Sequence, residues 1–149
     1  MAPSSTIPLL LCVYLHIVAA STAIWHVETF ENGGRDVSGC GPSNTPCQTL
    51  SFLLAHALVQ ADDTIAYGDG THNCVHTMIN LPLTIQGLGA SHTTLTSNGQ
   101  GGMLNITLID FAQTSASITI HGISFLNGAS SLSGGAIFVQ SLANRTDSL

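Results

Sequence analysis

Residues 118–139, ITIHGISFLNGASSLSGGAIFV, hold two short alternating strands joined by glycine-rich turns. An earlier stretch, Leu83-Thr84-Ile85-Gln86-Gly87, reads against Ile118-Thr119-Ile120-His121-Gly122 position for position at an offset of 35 residues. In both copies a period of 2 sends two aliphatic residues to one face and a threonine and a second polar residue to the other, with a glycine where the strand bends. Between them, Met103 to Ile109 alternates in the same way, with Leu104, Ile106 and Leu108 on one face and Asn105 and Thr107 on the other. Strands this short, with no long helix between them, do not make the crossover units of a doubly wound sheet. They point to an all-β chain that coils on itself, each strand lying on its counterpart in the next turn. Stacking of Leu83 and Ile85 under Ile118 and Ile120, extended by Ile123 and Phe125, is the expected core. Each aliphatic position is worth roughly 1.5–3 kcal/mol once buried.

The same residues carry a family resemblance. Phe125-Leu126-Asn127-Gly128 followed by Gly134-Gly135-Ala136-Ile137 resembles the F-x-N-G and G-G-A-I elements of right-handed parallel β-helix proteins of the pectin-lyase-like kind. Chlamydial-type polymorphic outer membrane proteins and their secreted relatives are among these. The resemblance runs from about Gly39 to Gln140 and implies a short right-handed parallel β-helix; its motifs mark a fold and not a chemistry. The order PCQTL, helix, DDTIAYGDGTH also resembles the entry of such proteins, where an N-terminal helix caps the first rung.

That helix has its own signal. Leu50, Leu53, Leu54, Ala57, Leu58 and Ala61 fall on one helical face, Thr49 or Ser51 is placed to cap its start, and Asp62-Asp63 is expected to end it before the strand Thr64-Ile65-Ala66-Tyr67. An amphipathic helix needs a surface to cover, and the open first turn of a solenoid supplies one. Ile24-Trp25-His26-Val27 is expected as an extra strand on this cap, with Glu31 to Gly39 as loop.

The chain of 149 residues is long enough for one domain. Its only basic side chains are Arg35 and Arg145, against eight acids. Such a surface does not neutralise a row of phosphates, nor does it make a polybasic membrane contact, so nucleic acid is not an expected partner. With 44% apolar and 7% charged residues, solubility rests on Ser, Thr, Asn and Gly rather than on disorder-promoting charge. Residues 7–20, IPLLLCVYLHIVAA, are too short to span the roughly 30 Å hydrocarbon core as a helix. The run ends in small residues and is expected to be a secretory signal peptide cut after Ala20 or Ala23, with an uncleaved anchor or a buried strand as the alternatives. No membrane span is expected in the mature chain. The resulting division is a signal peptide over 1–23, a cap over 24–62, β-helix rungs over 63–141 and a polar tail over 142–149.

An oxidising compartment makes Cys40 and Cys47 a plausible bridge around the turn-forming loop Gly41-Pro42-Ser43-Asn44-Thr45-Pro46. Cys74 is left over, as a buried thiol, a competitor for one of the other two, or a link to a partner chain. Asn105-Ile106-Thr107 and Asn144-Arg145-Thr146 are glycosylation sequons.

The chemistry expected of carbohydrate-active β-helices finds few candidates. A polysaccharide lyase needs a basic side chain to abstract a proton, and the central strands hold no Lys, Arg or Glu and one Asp, Asp110. A glycosidase needs carboxylates facing across the scissile bond, whereas Asp62 and Asp63 are adjacent. His72-Asn73-Cys74-Val75-His76 is the most metal-like string, its alternate residues sharing a face if extended, but it lacks a fourth ligand. Gly68-Asp69-Gly70-Thr71 is expected as a tight turn, and His121 as a ladder residue over Gln86. No cofactor or metal is expected. The reading that follows is a secreted or surface-displayed non-catalytic module for adhesion, recognition or extracellular structure. Its partner would be a carbohydrate or cell-surface protein, with self-association through an uncapped C-terminal rung. The alternatives are the N-terminal part of a carbohydrate-active enzyme whose catalytic rungs lie further on, and a truncated gene product.

Overall fold

The computed structural model describes residues 22–57, 59–110, 117–130 and 135–143, with the backbone alone described at 108–110 and 141–143. Among these residues the chain is mostly β, with one helix. Its elements in order are β1 (Ile24–Val27), α1 (Leu50–His56), β2 (Thr64–Tyr67), β3 (Gly70–Asn73), β4 (Thr77–Ile79), β5 (Leu83–Gln86), β6 (Thr93–Thr96), β7 (Leu104–Asp110), β8 (Ile118–His121), β9 (Ser124–Leu126) and β10 (Ile137–Ala143). Every strand pair is parallel. The strands make three sheets, ordered β1-β2-β5-β8, β3-β6-β9 and β4-β7-β10. From β2 onward the chain therefore visits the three sheets in the same order three times.

The register follows the sequence repeat. Leu83 lies beside Ile118, Thr84 beside Thr119, Ile85 beside Ile120 and Gln86 beside His121. The aliphatic positions of β5 are buried, as are Ile65 of β2, Leu95 of β6, and Leu104 and Ile106 of β7. They join one core cluster with Ile79, Met103 and Tyr67. Two of the columns are mixed: His72 pairs with Leu95, which pairs with Phe125, and Thr77 pairs with Leu104, which pairs with Ile137. The repeated glycine has a steric cause. A Cβ on Gly87 would collide with the Gly122 carbonyl, and Gly122 itself sits at φ +69°. The two turns are tied through Gly87 N–H to His121 O at 2.9 Å and Gly89 N–H to Gly122 O at 3.0 Å. A larger residue at either position would push these turns apart.

Corners between sheets are held by hydroxyls. Thr93 Oγ1 accepts the Leu88 N–H and donates to Gly68 O, and Ser97 Oγ lies within hydrogen-bond distance of both Gly101 O and Asn127 O. Thr93 and Ser97 are fully buried, so these bonds replace water at carbonyls the turns would otherwise strand.

The N-terminal region lies against the first strand of each sheet. β1 pairs with β2, α1 packs against β4, and Asn32 Nδ2 donates to Asp69 O just before β3. The Cys40–Cys47 disulfide closes the loop between β1 and α1, and Cys47 bridges Val27 in parallel. Asp36 accepts the backbone N–H groups of Gln48 and Thr49 at 2.9 Å and the Thr49 hydroxyl at 2.8 Å. Thr49 then accepts the Phe52 N–H as the helix N-cap.

Two boundaries differ from expectation. The helical face was expected to run to Ala61, yet α1 ends at His56, and Ala57 is extended. The reason lies in Asp63, which takes the Gln60 N–H on its carboxylate while its own N–H goes to Gln60 O, turning the chain toward β2. Asp62 and Asp63 are thus not a helix end. Leu50 and Leu53 are buried and Leu54 only partly so; Leu58 lies outside the described residues. The last strand runs to Ala143, two residues into the stretch expected as a polar tail, in register with β7.

Candidate functional site

The polar side chains gather at three places, each set by a turn between sheets. At the first, β1 runs out beside the β2–β3 turn. Glu28 lies directly on Gly68, where a Cβ would overlap its carboxylate. Burial raises the Glu28 carboxyl above its ordinary range, against a hydrogen bond from Asn32 and the neighbouring His26 that lower it, and Asp69 adds to the rise. One carboxylate oxygen, Oε2, is buried without a hydrogen-bond partner. Asp69 itself pairs with His92 at 3.4 Å, both exposed. Glu28 was not singled out from the sequence, since its setting depends on Gly68, forty residues away in the chain. The tight turn expected over Gly68-Asp69-Gly70-Thr71 is shorter in the structure: Gly68 and Asp69 join β2 to β3, and Gly70 and Thr71 already belong to β3.

The second place is the His72–His76 segment. Its alternate residues do not share a face, because β3 ends at Asn73 and His76 takes a left-handed φ of +48°. His72 is turned into the core, its Nε2 3.2 Å from Gly68 O and its ring edge-on to Tyr67. Burial lowers its pKa, partly offset by the Gly68 carbonyl and Asp69, so the ring is neutral at pH 7. Cys74 is a free buried thiol against Thr77 Oγ1 and Met103 O, its pKa raised by burial. A buried neutral histidine, a protonated thiol and an exposed histidine are not a zinc triad. Among the described residues one other group brings ligand-type atoms within 4.8 Å of one another, Asp36, Cys40 and Cys47. There the sulfurs are bonded to each other and the carboxylate is occupied by Gln48 and Thr49.

The third place is a groove of about 530 Å³ lined by His76, Gly99 to Gly102, Ala129 and Ser130. The His76 ring lies on Gly101, where a Cβ would overlap it, and the His76 N–H donates to Gly102 O at 2.8 Å. Ser97 ties the groove floor to the next turn through Gly101 O and Asn127 O. Among the described residues its lining carries no acid, lysine or arginine. Backbone amides, an imidazole and the Gln100 amide suit a neutral ligand rich in hydroxyls better than an ionic one.

Of the remaining sequence candidates, Asn105 stands on β7 in register with Met78 and Phe138, its Oδ1 enclosed without a partner. Arg35 reaches back over the Phe30 ring at 3.6 Å and donates to the Phe30 and Gly34 carbonyls, a loop-building role. Arg145 and Asn144 lie outside the described residues, and the Asp110 side chain is not described. Among the described residues no helix is long and apolar enough to cross a membrane.

In comparisons with protein-family models, curated proteins and solved structures, nothing matches this chain. The fold and the groove therefore stand on the chain's own geometry, a strand-rich body of parallel sheets.

Proposed function

We propose that this chain is a secreted or surface-displayed recognition module built as a short right-handed parallel β-helix, of the kind its F-x-N-G and G-G-A-I elements resemble. The observation that carries the reading is the threefold return of the strands through three parallel sheets, with Leu83, Ile85, Ile118 and Ile120 stacked in register. In that architecture β2-β3-β4, β5-β6-β7 and β8-β9-β10 are successive rungs, and β1 with α1 caps the first. The Cys40–Cys47 disulfide fits an extracellular setting, in line with the apolar leader over residues 7–20. Asn105 and Asn144 are its candidate glycan attachment points.

The uncharged groove around His76 is the proposed binding surface, and its chemistry favours a carbohydrate. The test is glycan-array binding of the secreted chain beside His76→Ala and Gln100→Ala. Binding that both variants lose, with their melting points unchanged, supports the reading; binding that neither variant alters places recognition elsewhere.

A further inference from the structure

Asparagine followed by glycine is open to self-modification, because glycine has no Cβ to keep its nitrogen away from the asparagine side chain. Three such pairs lie among the described residues, Asn32-Gly33, Asn98-Gly99 and Asn127-Gly128, all of them exposed. The fold holds the first two. Gly33 N–H donates to Phe30 O at 3.2 Å, and Asn32 Nδ2 donates to Asp69 O at 3.0 Å. Gly99 N–H donates to Asn127 O at 2.9 Å, and the Thr96 hydroxyl lies 3.5 Å from Asn98 Oδ1. The third pair is loose: among the described residues neither the Gly128 N–H nor the Asn127 side-chain amide has a hydrogen-bond partner. Backbone conformation does not separate the last two, since Asn98 and Asn127 sit at φ +52° and +55°.

We propose that Asn127 is a site of spontaneous deamidation in the folded protein, while Asn32 and Asn98 are protected. The Gly128 nitrogen gives up its proton and bonds to Asn127 Cγ, the Cγ–Nδ2 bond breaks, and Nδ2 leaves as ammonia. Water then opens the cyclic imide at either carbonyl, leaving aspartate or isoaspartate at position 127. The product bears on the groove around His76. In the isoaspartate the main chain runs through Cγ, and the α-carbonyl that accepts from Gly99 N–H and Ser97 Oγ becomes a free carboxylate against the groove floor. The chemistry needs only water and does not depend on what the groove binds. Peptide mapping by mass spectrometry follows the purified chain at mildly alkaline pH, folded and in urea. In the folded chain Asn127 is expected to be lost roughly tenfold faster than Asn32 or Asn98, the factor imposed by a hydrogen bond that must first be broken. In urea the three should go at similar rates, and Asn127→Gly, which suits the positive φ, should remove the fast event. Loss at Asn127 no faster than at the other two in the folded chain overturns the proposal. So does a preference for Asn127 that persists in urea, or a fast event that survives the substitution.

Discussion

Asp63 is the only fully buried acid among the described residues, and its donors decide its charge. Burial pushes its pKa up, but the hydrogen bonds from Gln60, the Trp25 indole and Ala23 outweigh that and hold it below the ordinary carboxylate value. A carboxyl whose pKa is lower in the folded state stabilises fully above its unfolded value of about 3.9, and that stability is lost as pH falls through the folded pKa. Asp63→Asn is expected to cost about 2–4 kcal/mol at pH 7, since an amide cannot accept on both sides. It is also expected to flatten the acid limb of the stability curve below about pH 4. His72 acts earlier. Its folded pKa is lowered by burial, so the unfolded chain binds the extra proton first, and stability declines as pH drops below about 6.5, levelling out under the folded pKa. His72→Leu copies the Leu95 paired with it and should remove that first decline. Urea titrations at intervals from pH 7.5 to 3 read both effects. An unchanged slope between pH 6.5 and 5 in the leucine variant would assign the decline to other groups.

At the scale of elements, α1 is seven residues long and too short to hold its shape without tertiary packing. Its stability comes from Leu50 and Leu53, fully buried, with the Thr49 cap and the disulfide fixing its start. Leu53→Asp is therefore expected to cost more than 3 kcal/mol by placing an unpaired carboxylate in the core, and to promote aggregation. Leu54→Asp, on the partly exposed side, should cost less than half as much; equal costs in denaturant titrations would mean the helix packs through a different face. The contrast also marks what the sequence made legible. Alternation and the 83–87 against 118–122 repeat located β5 and β8 and their register, because inward aliphatic and outward polar residues leave a period-2 trace. Of the two residues placed to cap α1, Thr49 or Ser51, the structure uses Thr49. Strands β3, β4 and β6 left no such trace, since their inward positions include His72, Thr77 and Thr93, polar groups satisfied by turn carbonyls or packed among core side chains. The helix end and the role of Asp63 were hidden for another reason. The turn itself is local, between Gln60 and Asp63, but it leaves no hydrophobic trace, and the Asp63 carboxylate is completed by Trp25, 38 residues away. The groove around His76 likewise joins three turns that are distant in the chain, and a string of alternate His and Cys suggested a ligand face that the turn after Asn73 removes.

At the scale of the whole molecule, the two ends of the core are treated differently. Toward the N-terminus the inward positions are closed: Ile65 and Ile79 are fully buried beneath β1 and α1. Toward the C-terminus they open. Ile118, Ile120, Phe125 and Ile137 are only partly buried, and Val139, in register with the buried Ile106, is 63% exposed. Among the described residues the strands β8, β9 and β10 each have one neighbour, and the residues of β8 and β9 and of Ile137 to Gln140 include no Lys, Arg, Asp or Glu to discourage pairing. A second copy presenting the same face would bury both sets of apolar residues. Because the N-terminal elements cover the other end of the core, we predict that such a contact would close as a two-fold dimer rather than propagate as a fibre. Sedimentation velocity of the mature chain is expected to show a monomer–dimer equilibrium in the micromolar range, shifted to monomer by Val139→Lys. Because Val139 is already exposed, the substitution should change stability by no more than about 0.5 kcal/mol, which separates lost association from unfolding. A parent chain that stays monomeric at its highest soluble concentration removes the self-association reading. A lysine variant that still dimerises places the contact on another face, with the exposed Met78 and Phe138 on the outer side of the β4-β7-β10 sheet the next to substitute.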